Sequence, residues 1–161
     1  MRALLLDPTR EELLLIKALV PDTGDKLWFT PGGGKEGDES DLVCLAREVF
    51  EETGLEPLPA ATLVWTRSEQ FVFMGEDYHQ DERYFLVPTP RFEIAHQSLE
   101  AHEQQTFLEA RWWSLDDIVL SSELFVPADL GTLMKQLLRE YLTESKTHNS
   151  TQNKKVRHVG R

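Results

Sequence analysis

Four glycines fall within six residues, at Gly32, Gly33, Gly34 and Gly37, and the chain must enter a helix almost at once afterwards. A loop this tight needs residues that accept unusual backbone angles and leave no side chain in the way. It follows Lys26–Phe29, read as a short strand, and Thr30-Pro31. The helix is expected to start near Asp38–Ser40 and to end at Gly54, a natural left-handed cap, with Pro57 blocking continuation. Any fold for this chain therefore seats a strand end, a loop with few side chains and a helix in immediate succession.

On a wheel of about 100° per residue with Glu48 at zero, Glu51 lies near −60° and Glu52 near +40°. The three carboxylates share one face. Leu42, Leu45, Ala46, Val49 and Phe50 spread over roughly 60° to 200°, a separate face suited to packing on a sheet. Like charges three and four residues apart repel by a few tenths of a kcal/mol per exposed pair. Such a run is either a solvated face or a cation site. Its place directly after the glycine loop favours the second, because oxygen-only ligands are what Mg²⁺ and Mn²⁺ prefer. Cys44, near −40°, reads as a small, partly buried side chain.

The remaining chain reads mostly as strands. Ala3–Leu6 and Leu13–Leu19 are apolar runs separated by Asp7-Pro8 and are expected to pair. Thr62–Thr66, Gln70–Met74 and Tyr84–Val87 look like antiparallel sheet, with a turn at Gly75-Glu76-Asp77. Residues 88–103 are polar and loop-like. Ala110–Trp113 is a last strand, and Ser114 has N-cap chemistry for a short helix. A second long helix is expected from about Pro127 to Leu142, on the spacing of Leu130, Leu133, Met134, Leu137, Leu138 and Tyr141.

Charge sets limits on partners. Of 161 residues, twelve basic and twenty-eight acidic ones precede Lys146, a net of −16. From Lys146 onward there are five basic residues and no acidic ones, in a polar stretch read as a mobile tail. So acidic a body argues against gripping a nucleic-acid polymer, which needs clustered Lys and Arg. It leaves room for an anionic small molecule if a bound cation reverses the local field. The one cysteine excludes an internal disulfide, and no apolar run approaches the roughly 18 residues a membrane span needs, so a cytoplasmic protein without a membrane partner is expected.

Gly33, then Glu39 after five residues, then Arg47-Glu48-Val49-Phe50-Glu51-Glu52-Thr53-Gly54-Leu55 after seven more, resembles the Nudix box of the MutT-like hydrolases, with every fixed position filled. Glu109-Ala110-Arg111-Trp112-Trp113-Ser114-Leu115-Asp116 resembles a common later segment of that family. The resemblance covers residues 1–143, expected as one domain, and leaves 144–161 as the tail. It implies an α/β/α sandwich around a mixed sheet, with the box as loop–helix–loop. It also implies hydrolysis of a nucleoside diphosphate linked to another group, by a monomer or homodimer. Carried over by position, Glu48, Glu51, Glu52 and the carbonyl of Gly32 would bind Mg²⁺ or Mn²⁺. Glu51 or Glu52 would also be the general base. Arg47 would orient the glutamates, and Gly33, Glu39 and Gly54 would support the box. Glu103, with Glu100 as rival, would add a carboxylate from a loop. Trp28, Phe73 and Tyr84 are candidates to stack on a base.

Other readings fit less of the chain. Gly32-x-Gly34-x-x-Gly37 matches a dinucleotide fingerprint, but Glu36, Asp38 and Glu39 crowd the helix start where a pyrophosphate needs positive potential. A Walker A loop is excluded because Glu36 follows Lys35. Prenyl diphosphate isomerisation would need a cysteine ahead of the box. A nucleotide sensor without catalysis is the rival from another class, and an intact box speaks against it. His79, His96 and His102 show no metal-type spacing.

Overall fold

The fold comes from a computed structural model that describes residues 1–73, 76–95, 106–147 and 157–158. Its strands are β1 (Arg2–Asp7), β2 (Glu12–Leu19), β3 (Lys26–Phe29), β4 (Thr62–Phe73), β5 (Glu76–Pro88), β6 (Phe107–Ser114), β7 (Leu124–Val126) and β8 (Arg157–His158). The helices are α1 (Asp41–Thr53), α2 (Leu115–Leu120) and α3 (Leu130–Thr147). The strands form one mixed sheet in the order β7-β3-β2-β1-β5-β4-β8, with β6 added along β2. β1 runs parallel to β5, and β3 to β7; β1–β2, β2–β3, β2–β6 and β4–β5 are antiparallel.

Layering follows from side-chain alternation. Leu4 and Leu6 of β1 join a core with Leu13, Leu15, Trp28, Trp113, Leu130, Met134 and Leu137, on the α2–α3 side. Ala3 and Leu5 point to the other face and join Leu14, Leu45, Val49 and Trp112, on the α1 side. A strand covered on both faces reads as an unbroken apolar run, which is why β1 shows no polar alternation. Each fully buried aliphatic chain here contributes roughly 1.5–3 kcal/mol relative to exposure. The architecture is the α/β/α sandwich expected.

α1 is fixed at both ends by its own sequence. The Ser40 hydroxyl accepts from the Val43 N–H at 3.3 Å. Gly54 adopts φ 76° and donates its N–H to the Phe50 carbonyl at 2.8 Å. The packing face is shifted from the one expected. Cys44, Leu45, Glu48, Val49, Glu52 and Thr53 are buried, whereas Leu42 is half exposed in the first turn. Two of the three wheel-aligned carboxylates are thus drawn inside.

Three other expectations change. The two strands anticipated over 62–66 and 70–74 are one strand. The polar residues that suggested a break find cross-strand partners on β5: Arg67 binds Glu82 at 2.9 Å and Ser68 binds Asp81 at 2.5 Å. β7 is only three residues long and carries no pattern of its own. α3 begins at Leu130 and extends to Thr147, and Arg157–His158 lies beside Trp65–Thr66. Among the described residues no helix is long and apolar enough to cross a membrane.

α3 meets α2 at close range through Gly131. A Cβ there would stand 2.8 Å from Val119 Cγ2 and 2.9 Å from Ile118 Cγ2. Gly131→Ala is therefore expected to lower stability by about 1–3 kcal/mol through overpacking, despite the better helix propensity of alanine. Thermal unfolding followed by circular dichroism measures the loss, and an unchanged or raised Tm refutes it.

Candidate active site

The glycine loop and α1 meet at one guanidinium. Arg47 forks onto Glu39, with Nη2 at 2.8 Å from one oxygen and Nε at 3.4 Å from the other. Its Nη1 reaches Glu48 at 2.9 Å and Glu51 at 3.3 Å, and Nη2 also donates to the Gly34 carbonyl at 3.0 Å. The planar fork makes this possible, since one ammonium could not serve so many acceptors in fixed directions. Hydrogen bonding from Arg47, helped by the Glu36 N–H, holds the Glu39 carboxyl down to about 2. The same bonding to Glu39 raises the already high pKa of Arg47.

Glu52 is held from the loop side. The Gly32 N–H donates to its Oε2 at 2.8 Å. Gly33 makes room for Glu48: a Cβ there would lie 2.5 Å from the carboxylate carbon. Side-chain exposure separates the glutamates, at 27% for Glu51 and 8% for Glu48. Glu52 is 6% exposed as a residue.

The structure thus brings together Gly32, Gly33, Glu39, Arg47, Glu48, Glu51 and Glu52, with Gly54 closing the helix behind them. Three carboxylates, Glu39, Glu48 and Glu51, surround one guanidinium, with Glu52 on the Gly32 N–H, and the excess negative charge and hard oxygen donors suit a divalent cation in chemistry. As the side chains stand, no group of three or more His, Cys, Asp or Glu among the described residues is disposed to hold a metal ion. Arg47 links Glu48 with Glu51, and Glu52 turns to the Gly32 N–H.

Other expected site residues lie elsewhere. Trp28 has no exposed face for a base: it is fully buried, edge-on to Trp113 at 5.1 Å between ring centres, with its indole N–H on Glu123 at 2.9 Å. Tyr84 is equally enclosed and gives its hydroxyl to Glu82 at 2.7 Å; burial and then the Glu82 charge push its pKa up. Both are core residues because they sit on inward faces of paired strands. The Phe73 side chain, Glu100, Glu103, His96 and His102 lie outside the described residues. Cys44 is fully buried, and burial lifts its thiol to about 11, which keeps it protonated and unreactive.

One cluster was not anticipated. Glu82 on β5 accepts from Arg2 Nε at 2.9 Å, Arg67 Nη1 at 2.9 Å, the Tyr84 hydroxyl at 2.7 Å and Gln80 Nε2 at 3.0 Å. Burial acts to raise its pKa, but Arg2, the Tyr84 hydroxyl and Arg67 outweigh that and bring it down to about 2. The available sequence signal was the two-residue spacing of Glu82 and Tyr84, which puts an acid on the inward face of a strand.

A mixed sheet between helical layers, with a glycine loop feeding a carboxylate-bearing helix, defines the class by fold. The same fold is seen in a MutT NUDIX hydrolase from Burkholderia pseudomallei (TM-score 0.60, 24% identity, covering 84% of this chain and 93% of that one). It is also seen in the NUDIX domain of Shewanella oneidensis NrtR, crystallised with ADP ribose (TM-score 0.62, 21% identity, 88% of this chain and 85% of that one). The family model for the NUDIX domain matches residues 1–137. The chain belongs to the Nudix family. It is also 28% identical over 145 residues to mRNA-decapping enzyme subunit 2 of Arabidopsis thaliana, a match covering 90% of this chain and 35% of that protein's length. The chain thus spans about a third of that relative.

Proposed function

We propose that this Nudix chain hydrolyses the diphosphate linkage of a nucleoside diphosphate joined to a further group, such as a nucleoside triphosphate or a nucleotide-sugar-like compound, with Mg²⁺ or Mn²⁺ as cofactor. The observation that carries this is the collection of Glu39, Glu48 and Glu51 by Arg47, with Glu52 against the Gly32 N–H, beside a loop without side chains at 32–34. Residues 1–143 are taken as the catalytic unit and 144–161 as a basic extension.

Glu48, Glu51, Glu52 and the Gly32 carbonyl are the groups that would hold the ion. When bound, the ion neutralises anhydride oxygens and orients water for in-line attack at phosphorus. The chain supplies the rest. Arg47 keeps the glutamates at their stations. Glu51, the most accessible of the three, is placed to accept the proton of the attacking water. The loop lets the substrate's phosphates approach backbone rather than side chains.

A released-phosphate screen with Mg²⁺ tests the proposal. It spans nucleoside triphosphates, ADP-ribose, nucleotide sugars, dinucleoside polyphosphates and, in view of the Arabidopsis relative, a cap dinucleotide. Turnover of at least one compound, abolished by chelation, is expected. Tight nucleotide binding without turnover of any of them would replace the hydrolase by a sensor.

A further inference from the structure

Three consecutive carbonyls of the glycine loop are gripped by three consecutive residues at the start of β1. The Ala3 N–H donates to the Pro31 carbonyl at 2.7 Å, Arg2 Nη1 to the Gly32 carbonyl at 2.9 Å and the Met1 nitrogen to the Gly33 carbonyl at 2.5 Å. Two of these donors are main-chain nitrogens that any residue at those positions would offer. The middle one is a side chain. It is anchored in turn by Glu82, eighty residues away, which Arg67, Tyr84 and Gln80 hold in place.

The middle carbonyl is where an anchor matters most. The peptide unit between Gly32 and Gly33 is flanked by two glycines, so sterics alone give it little resistance to rotation. Gly32 itself has φ 137°, outside the range ordinary side chains adopt. Its N–H is the donor that holds Glu52 Oε2 at 2.8 Å. That N–H belongs to the Pro31–Gly32 peptide, which the Ala3 N–H fixes, and the carbonyl to the next peptide, which Arg2 fixes, so the two grips together set the angles at Gly32. Arg2 also lies over the Phe29 ring at 5.5 Å, which restricts the guanidinium from the strand side.

We infer that Arg2, fixed by Glu82, is a positioning residue that locks the loop at Gly32: directly the carbonyl it grips, and with Ala3 the angles from which the Gly32 N–H holds Glu52. The inference rests on the proposed role of the Gly32 carbonyl and Glu52 in holding a divalent cation. Arg2 bonds to a group proposed to hold the ion and is not itself among those groups. It acts as an outer partner of the kind whose removal costs tenfold to a hundredfold in metal affinity.

Mn²⁺ binding to the substrate-free protein, read from the electron paramagnetic resonance signal of free Mn²⁺, provides the test. Arg2→Met is expected to weaken binding by roughly 10- to 100-fold. Arg2→Lys should recover part of this, because one ammonium can serve one of the two acceptors. Glu82→Gln should weaken binding less than Arg2→Met. In a Glu52→Gln background, Arg2→Met should add less than it does alone, since part of its effect runs through the same carboxylate and part through the Gly32 carbonyl. If Arg2→Met fails to fold, Arg2→Lys and Glu82→Gln carry the same comparison. Wild-type Mn²⁺ affinity in the Arg2 and Glu82 variants, with a clear loss in Glu52→Gln, overturns the inference alone. An undiminished effect of Arg2→Met in the Glu52→Gln background also overturns it. Unchanged affinity in Glu52→Gln itself removes the metal role of Glu52, and the inference falls with it.

Discussion

With Mg²⁺ present, Glu51→Gln and Glu52→Gln should each lower kcat on any accepted substrate by about two to four orders of magnitude, the range a general base commands. The two losses should differ in kind. Glu51 is the more exposed carboxylate and is held by Arg47. Its amide cannot take a proton from water, so kcat should stay low even at saturating Mg²⁺, and because Glu51 is also one of the proposed ion ligands the Mg²⁺ requirement should rise as well. Glu52 is buried and accepts the Gly32 N–H. A glutamine oxygen can still accept that bond, so the loop and fold should survive while a charge is lost from the cation site. The loss there should be accompanied by a raised Mg²⁺ requirement. Steady-state kinetics at varied Mg²⁺, with Tm as a control for folding, separates the two. Wild-type turnover in both variants would remove the catalytic assignment from this face of α1.

How much of this was visible in the sequence depends on how local the causes are. The limits of α1 were legible because Ser40 and Gly54 act on backbone groups within four residues. The meeting of Glu39, Arg47, Glu48 and Glu51 was legible because the Nudix spacing ties residue type to position over one loop and one helix. The extent of β4 was not, because Arg67 and Ser68 look like strand breakers until Glu82 and Asp81 stand opposite them. Trp28 looked available because it sits just before the loop, but its neighbours Trp113 and Glu123 come from distant parts of the chain. Arg2 and Glu82 carry no mutual signal at eighty residues' separation. The depth of the carboxylates also escaped the wheel, which gives direction but not what covers a face. α1 buries the edge of its acidic stripe, so Glu48 and Glu52 lie inside and Glu51 at the opening. The acidity of the body, first a limit on partners, thereby becomes in part a local charge excess around one arginine.

Alanine at two adjacent glycines should give opposite kinds of failure. At Gly32 a Cβ would fall inside the Met1 carbonyl oxygen and 2.9 Å from the Arg2 Cα, both backbone atoms that cannot step aside. The residue would also be forced to keep φ 137° or to shift the carbonyl that Arg2 holds. Backbone strain of this sort costs about 1–3 kcal/mol before any clash is counted. Against a total stability of about 5–15 kcal/mol that is a large share. Gly32→Ala is therefore expected to lower Tm strongly and to lose activity with it. At Gly33 the obstacle is the Glu48 carboxylate, 2.5 Å away at its carbon, the far end of a flexible side chain. Glu48 can swing clear, so Gly33→Ala should fold with a Tm close to that of the wild type. Yet its carboxylate would leave the place that Arg47 gives it at 2.9 Å. Misplacement by about 1 Å can cost a factor of about 10² in rate, and the loss here should reach at least that. Paired thermal melts and kcat/KM measurements on the two variants decide the matter. A Gly33→Ala protein as active as the wild type would show that Glu48 does not need its observed position. A Gly32→Ala protein as stable as the wild type would show that the loop does not depend on its glycine angle.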